Sequence, residues 1–305
     1  MTPDDAGMPD TGTIDVSPQE DAAELVEEIA QDAAAPGAAE RMLIALDIDG
    51  TVLLDDETLS PGIIDAVADA HAAGHEVMLA TGRSWSGTQH IQRLLEIEPE
   101  YVVCSNGAVV LKRETDAAGA ASYVRFHTET FDPRTVLELL RTHLPEAHFM
   151  VELEDGVRLY TESMHDWNLS EAREVAFEEL AQHPVSRVVV VAPDHSEEDF
   201  LALVGDIGLN QVSYAIGWTA WLDIAPMGVD KGTALERVRG LLGVPPERVI
   251  VFGDGRNDMG MFAWALSHGG RAVAMAQGPQ EVRDAAGERT TSVTEGGVAA
   301  VLRTL

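Results

Sequence analysis

Two aspartates separated by a single residue, Asp47 and Asp49, follow the apolar run Met42–Leu46 and precede Gly50 and Thr51. An apolar run of that length reads as a strand buried on both faces of a parallel sheet. Side chains alternate along a strand, so residues two apart leave the same side. The expectation is a pair of carboxylates presented together at the carboxyl end of a buried strand, where open α/β sheets bind ligands. At about 4 Å and an effective dielectric near 20, their repulsion costs roughly 4 kcal/mol. Protonating one of them relieves it, and so does a cation between them. Oxygen-only donors select a hard ion, and Mg²⁺ suits a site of few carboxylates completed by water and a phosphate. A calcium loop does not match: counted from Asp47, the glycine stands fourth rather than sixth, and a strand precedes it.

Four further stretches carry chemistry-bearing residues. Thr81-Gly82-Arg83 follows the strand-like Glu76–Ala80, and Ser105-Asn106-Gly107 follows Tyr101–Cys104. Asp230-Lys231-Gly232 opens a helical pattern, and Gly253-Asp254-Gly255-Arg256-Asn257-Asp258 ends the apolar run after Arg248. The chain has only two lysines, Lys112 and Lys231, against 18 arginines, so a lysine at 231 asks for a reason. A lysine in a first helical turn also opposes the helix dipole. Taken singly, each stretch has an ordinary reading. Thr81-Gly82 suits any strand-to-helix turn, Lys231 a solvated helix end, and Asp254–Asp258 a polar turn in which Asp258 caps a helix. Arg83 and Arg256 suit either a substrate-facing or a solvent-facing role.

The elements that must position these residues alternate. Ser60-Pro61 predicts a helix start, with Ile63, Ile64, Val67 and Ala70 at helical spacing and Gly74 as its stop. A second helix carries Ile91, Leu94 and Leu95, and a third carries Ala234, Leu235, Val238, Leu241 and Leu242 behind an Asp230 cap. Strands interleaved with helices imply right-handed crossovers and a doubly wound, Rossmann-like parallel sheet. Val109–Leu111 and Tyr123–Phe126 predict a hairpin. From 128 to 219 the pattern mixes helices (near 133–143, 171–181 and 196–206) with strands (near 148–153, 157–160, 187–192 and 210–215). The expected organisation is an acidic disordered tail over 1–40, an α/β core over 41–127 and 220–305, and an inserted α+β module over 128–219. Trp218–Ile224 is expected to return to the core.

Charge narrows the partners. The 305-residue chain carries a formal −32, and residues 1–40 contribute 11 acids with no Lys, Arg or aromatic residue. Such a tail cannot bury enough surface to offset its ordering entropy. So acidic a surface repels nucleic acid and anionic membranes, and neither is an expected partner. No apolar run approaches membrane-spanning length, and no signal-peptide pattern follows the start. The single cysteine, Cys104, fits a reducing cytoplasm and reads as a small buried hydrophobe.

In order along the chain, Asp47-Ile48-Asp49-Gly50-Thr51, Thr81-Gly82-Arg83, Lys231-Gly232 and Gly253-Asp254 to Asn257-Asp258 resemble the haloacid dehalogenase-like (HAD) superfamily, in particular its Cof-type phosphatases. Ser105-Asn106-Gly107-Ala108 and Gly228-Val229-Asp230-Lys231-Gly232 resemble that subfamily too, and the inserted module resembles its α/β cap. The resemblance covers roughly residues 41–305. It implies a Mg²⁺-dependent phosphatase acting on small phosphomonoesters through an aspartyl-phosphate, working as a monomer or homodimer. Asp47 is then the nucleophile, Asp49 the general acid and base, and Lys231 the neutralising cation. Thr81, Gly82, Arg83, Asn106 and Asn257 would bind phosphate, and Asp47, Asp49, Asp254 and Asp258 would serve the metal. One departure is Ala276-Gln277-Gly278, where the family usually carries a Gly-Asn pair. Arg158, Tyr160, His165 and Trp167 are candidate specificity residues of the module. The competing readings are a phosphomutase of the same architecture and a non-catalytic binding protein on this scaffold.

Overall fold

The computed structural model describes residues 41–162, 172–192, 212–216 and 221–305. In chain order its strands are β1 (Leu43–Leu46), β2 (Glu76–Leu79), β3 (Tyr101–Cys104), β4 (Val109–Thr115), β5 (Ala121–Thr128), β6 (His148–Leu153) and β7 (Arg158–Tyr160). There follow β8 (Ala172–Glu174), β9 (Val185–Val191), β10 (Val212–Ile216), β11 (Trp221–Pro226), β12 (Val249–Gly253), β13 (Arg271–Ala274) and β14 (Glu288–Arg289).

The first sheet runs β14-β13-β12-β1-β2, parallel throughout, with Leu43 opposite both Val249 and Glu76. Its centre, β1, is buried at every residue. Ile44 and Leu46 pack into one apolar cluster with Val67, Leu79 and Leu302, while Leu43 and Ala45 pack into another with Leu235, Val251 and Phe262. Covering both faces is why the strand reads as an unbroken apolar run rather than an alternation. The crossover helices include Ile63–Ala72, Trp85–Leu94, Lys231–Leu241 and Met259–Ser267.

Four local expectations are corrected. Ser60 does not cap the first helix: its hydroxyl donates to the Val293 carbonyl at 2.7 Å, and the helix starts at Ile63 behind Gly62. β3 touches the parallel sheet through one bridge, Ala80 with Val103, and otherwise pairs antiparallel with β4, which pairs with β5 as the expected hairpin. A four-residue apolar strand suits either neighbour, and the adjacent hairpin supplies the nearer one.

The third correction concerns the second sheet, β10-β11-β9-β6-β7-β8, antiparallel except between β7 and β8. Its strands lie in the chain between β5 and β12, as an inserted cap. Trp221–Pro226 belongs to it instead of returning to the first sheet, because Leu222 and Ile224 join Phe149, Val151, Val188 and Val190 in that sheet's own apolar cluster. Period-two alternation fits either sheet, and packing decides. The helix expected near 171–181 is the edge strand β8 and a single turn, Phe177–Leu180. Pairing with β7 overrides its helical composition. The helix expected near 196–206 lies outside the described residues, as do His165 and Trp167. Among the described residues no helix is long and apolar enough to cross a membrane.

Candidate active site

The first and last motifs meet at the carboxyl edge of the parallel sheet. Asp47 stands one residue past β1, its amide donating to the Phe252 carbonyl at 3.0 Å. Its carboxylate Oδ1 accepts from Lys231 Nζ at 2.6 Å, and the same ammonium donates to Asp258 Oδ1 at 2.7 Å. Lys231 is fully buried. Its helix is started by Asp230, whose carboxylate accepts from the Thr233 amide at 2.8 Å, so the lysine occupies the first helical position, as expected. Asp258 is fixed from the other side: its Oδ2 accepts the amides of Asp254 and Gly255, each at 2.9 Å.

Oxygens of Asp47, Asp254 and Asp258 lie within 4.8 Å of one another, and all three residues are buried. Gly50 permits this closeness. It sits at φ +69°, and a Cβ there would fall 2.0 Å from Asp254 Oδ2.

Asp49 is not part of that cluster. The strand ends at Leu46, the chain turns through Ile48–Leu53, and the period-two argument lapses with the strand. Arg83 instead receives the Asp49 carboxylate, with Nε at 3.0 and 3.2 Å from its two oxygens and Nη2 at 2.6 Å from Oδ1. Arg83 Nη2 also donates to Glu57 at 3.2 Å. The Asp49 side chain is 55% exposed against 5% for Asp47, so the two acids occupy different surroundings.

The phosphate-binding candidates converge with one exception. Thr81 is buried, and its Oγ1 accepts from the Arg83 amide at 3.1 Å. The Asn106 amide donates to the Thr81 carbonyl at 3.0 Å, and a Cβ on Gly82 would sit 3.1 Å from Asn106 Oδ1. Asn257 Nδ2 donates to that Oδ1 at 3.1 Å. Thr81, Gly82, Asn106 and Asn257 thus form one patch, while the Arg83 guanidinium turns away to Asp49. Beside the patch lies a cleft of about 250 Å³ whose walls include Asp223, Asp230, Ser213 and Arg256. Neither Arg158 nor Tyr160 is among its lining residues.

Residues 44–302 match the family model described as haloacid dehalogenase-like hydrolase. The chain belongs to that family. A 5-amino-6-(5-phospho-D-ribitylamino)uracil phosphatase of Bacillus subtilis, YitU, is 30% identical over 275 residues, spanning 86% of this chain and 96% of the relative. The pyridoxal phosphate phosphatase YbhA of Escherichia coli is 26% identical, spanning 82% of this chain and 94% of the relative. Among solved structures, the HAD subclass IIB sugar phosphatase BT4131 superposes with a TM-score of 0.69 at 19% identity, over 86% of this chain and 98% of its own. This HAD hydrolase is a Cof-type phosphatase, a phosphoric monoester hydrolase.

Three carboxylates and one ammonium leave the HAD site two positive charges short. Burial, and then the Asp258 carboxylate, push Asp47 well above the usual range, and Lys231 only partly offsets them. Burial and Asp258 likewise push Asp254 up to about 7. Burial alone would lower Lys231, but Asp258 and Asp47 outweigh it and hold the ammonium. Three clustered carboxylates with hard oxygen donors and a single ammonium fit a hard divalent cation.

Several contacts at the site go beyond what the motifs display. Gln277, standing where the family has Gly-Asn, donates from Nε2 to the Gly50 carbonyl at 2.5 Å and to Asp254 Oδ2 at 3.2 Å. Its Oε1 accepts from the Val293 amide at 3.1 Å, so the departure keeps a contact to the acid cluster. Position relative to β13 was the available signal. Asp223, Arg187 and Glu152, which reach the Ser105–Asn106 turn from the second sheet, carry no motif at all.

Proposed function

We propose that this phosphatase hydrolyses small phosphomonoesters with Mg²⁺ through a phosphorylated Asp47, taking sugar, polyol or amine-bearing alcohols as leaving groups. The observation that carries this is the Asp47 carboxylate, buried at the end of the central strand and held by one oxygen on Lys231.

Asp47 attacks phosphorus as the carboxylate, the bond from phosphorus to the ester oxygen breaks, and Asp49 gives its proton to the departing alkoxide. Asp49 then takes a proton from the water that attacks the phosphoaspartate, which regenerates Asp47 and frees phosphate. Lys231 neutralises charge on the transferring group and, bridged to Asp258, keeps Asp47 oriented. Asp258 has both oxygens engaged, by Lys231 and two amides, so its main work is to place the ammonium. Asp47 and Asp254 would hold Mg²⁺, with Asp49 contributing from its turn and Asp258 lending its charge to the cluster. When bound, the ion screens the approach of a phosphate dianion to the carboxylates. Thr81, Gly82, Asn106 and Asn257 receive the phosphate, and Arg83 orients Asp49.

The leaving group would lie in the cleft beside the patch. Its walls set Asp230 against Arg256, while the Asp223 carboxylate is already engaged by Arg187 and Asn106, which suits hydroxyls or an amine better than a second phosphate. The names of the relatives agree with that choice: YitU acts on a phosphoribitylamino-uracil, and YbhA on pyridoxal phosphate. We place the module boundary after Pro226, with 41–127 and 227–305 as the core. The test is phosphate release from a panel of sugar, polyol and pyridoxal phosphates, bisphosphates and nucleotides, with and without Mg²⁺. Mg²⁺-dependent release favouring the first three is expected. A preference for bisphosphates or nucleotides would remove the substrate assignment, and release requiring a bisphosphate activator would indicate a mutase.

A further inference from the structure

The turn after β3 is strained, and the second sheet holds it. Ser105 and Asn106 stand at φ +50° and +51°, and Gly107 follows at φ +100°. Two successive non-glycine residues in the left-handed region persist only where the surroundings over-determine them. Part of that determination is backbone: the Ser105 amide donates to the Arg83 carbonyl at 2.9 Å and the Asn106 amide to Thr81. The rest comes from side chains of the cap. Ser105 Oγ donates to Glu152 Oε2 at 3.1 Å, and Asn106 Nδ2 donates to Asp223 Oδ2 at 2.8 Å.

Each of those acids is braced by an arginine. Arg125 donates to Glu152 Oε1, and Arg187 Nε donates to Asp223 Oδ1 at 2.7 Å. The strands explain how they come together. Glu152 on β6 lies opposite Arg187 on β9, and β11, which carries Asp223, is the other neighbour of β9. The residues on either side of these, Val151, Val188, Leu222 and Ile224, point into the cap's apolar cluster. The sheet therefore has one apolar face, and its other face, which also carries Met150 and Val189, bears the pair of buried acids that meet the turn.

An asparagine amide has two N–H groups and one oxygen. In Asn106 one N–H goes to Asp223 and the oxygen accepts from Asn257, which leaves a single N–H in the patch formed with Thr81 and Gly82. We propose that Asp223, clamped by Arg187, is a positioning residue that sets the Asn106 amide with its remaining N–H toward the substrate phosphate, so that seating of the cap sheet on the turn sets phosphate affinity. This rests on the phosphatase reading above, and it assigns a role to two cap residues that lie outside every motif.

The test compares the full-length wild type with Asp223→Ala, Asp223→Asn, Asn106→Ala and the Asn106→Ala/Asp223→Ala double variant. The readouts are KM and kcat for a sugar phosphate with Mg²⁺, the inhibition constant of inorganic phosphate, and the melting temperature. Asp223→Ala should raise KM and the phosphate inhibition constant together by roughly tenfold, the effect of losing one charge-assisted hydrogen bond, with kcat changed by less than about twofold. Adding it to Asn106→Ala should cost less than about twofold more, because residues acting through one another are not additive. Asp223→Asn keeps an oxygen for Asn106 but strips Arg187 of its counter-charge. It should therefore melt lower yet retain a KM within about threefold of wild type, which a purely structural role would not allow. Additive losses in the double variant would overturn the proposal, as would an Asp223→Ala penalty that varies with the leaving group, since Asp223 would then touch substrate directly. A wild type that releases no phosphate from any monoester would instead remove the phosphatase reading itself, and this inference with it.

Discussion

Lys231 and Arg187 are both buried cations, and their surroundings differ in one respect. Lys231 stands between Asp47 and Asp258 with a third carboxylate, Asp254, close by. Arg187 pairs with Asp223, and Glu152, its neighbour across the β6–β9 register, is paired with Arg125. The second cluster balances its charges, and its hydrogen bonds close on one another and on the Ser105–Asn106 turn. The first has acids in excess, and burial pushes two of them upward. A balanced cluster joins parts of a fold. An unbalanced one is poised for a cation and an anion that arrive from outside.

Exchanging each cation for an apolar residue of similar length breaks the comparison most forcefully. Lys231→Met should lower kcat roughly 10²- to 10³-fold, the scale of losing one preorganised electrostatic contact to the reacting group, measured by phosphate release at saturating substrate. Arg187→Met should act mainly on folding. Leaving Asp223 buried and unpaired costs about 3–5 kcal/mol, read from denaturant midpoints, while kcat of the folded protein stays within about threefold. Equal damage to kcat by both substitutions would erase the distinction.

The two clusters also differed in how far they could be read from the residues alone. Asp47, Lys231, Asp254 and Asp258 each follow a buried strand or open a helix, so topology and motif pointed the same way. Alternation sets the Asp49 carboxylate beside that of Asp47, but it holds only inside a strand, and β1 stops at Leu46, so the Asp49 carboxylate turns to Arg83. Asp223 and Arg187 lie 36 residues apart on strands whose pattern fits either sheet, which is also why the sequence pattern places Trp218–Ile224 in the core while the strand Trp221–Pro226 joins the second sheet. Their pairing follows from register, which a single sequence does not display. Gln277 stands out as a departure from the family pattern, but its contacts with Gly50 and Asp254 depend on how the loop after β13 folds back over β1.

Metal addition sharpens the contrast at a smaller scale. An ion that binds only the folded protein adds stability of about 2.7 kcal/mol at one hundred times its dissociation constant. Mg²⁺ should therefore raise the melting temperature of wild type and of Arg187→Met alike, and chelation should reverse it. Asp254→Ala should abolish the rise. A rise that survives in Asp254→Ala would place the ion elsewhere.

The smallest effect belongs to the buried Cys104, whose thiol is pushed up to about 12, first by burial. The thiolate is the reactive form. In native protein at pH 8 Cys104 should resist alkylation over hours, and denaturant should expose one reactive thiol per chain, counted by mass. Rapid labelling of the native state would mean that the region around β3 opens readily.

The central claim is that an Asp47 carboxylate oxygen becomes bonded to phosphorus. Asp47→Asn keeps shape and hydrogen-bonding capacity at that position but removes the nucleophilic charge. Assayed with Mg²⁺ on the best phosphomonoester of the panel, it should lose turnover by roughly 10⁴-fold or more while its melting temperature stays comparable to or above that of the wild type, since one of three crowded acids is gone. Turnover retained within a few-fold of wild type would contradict the account.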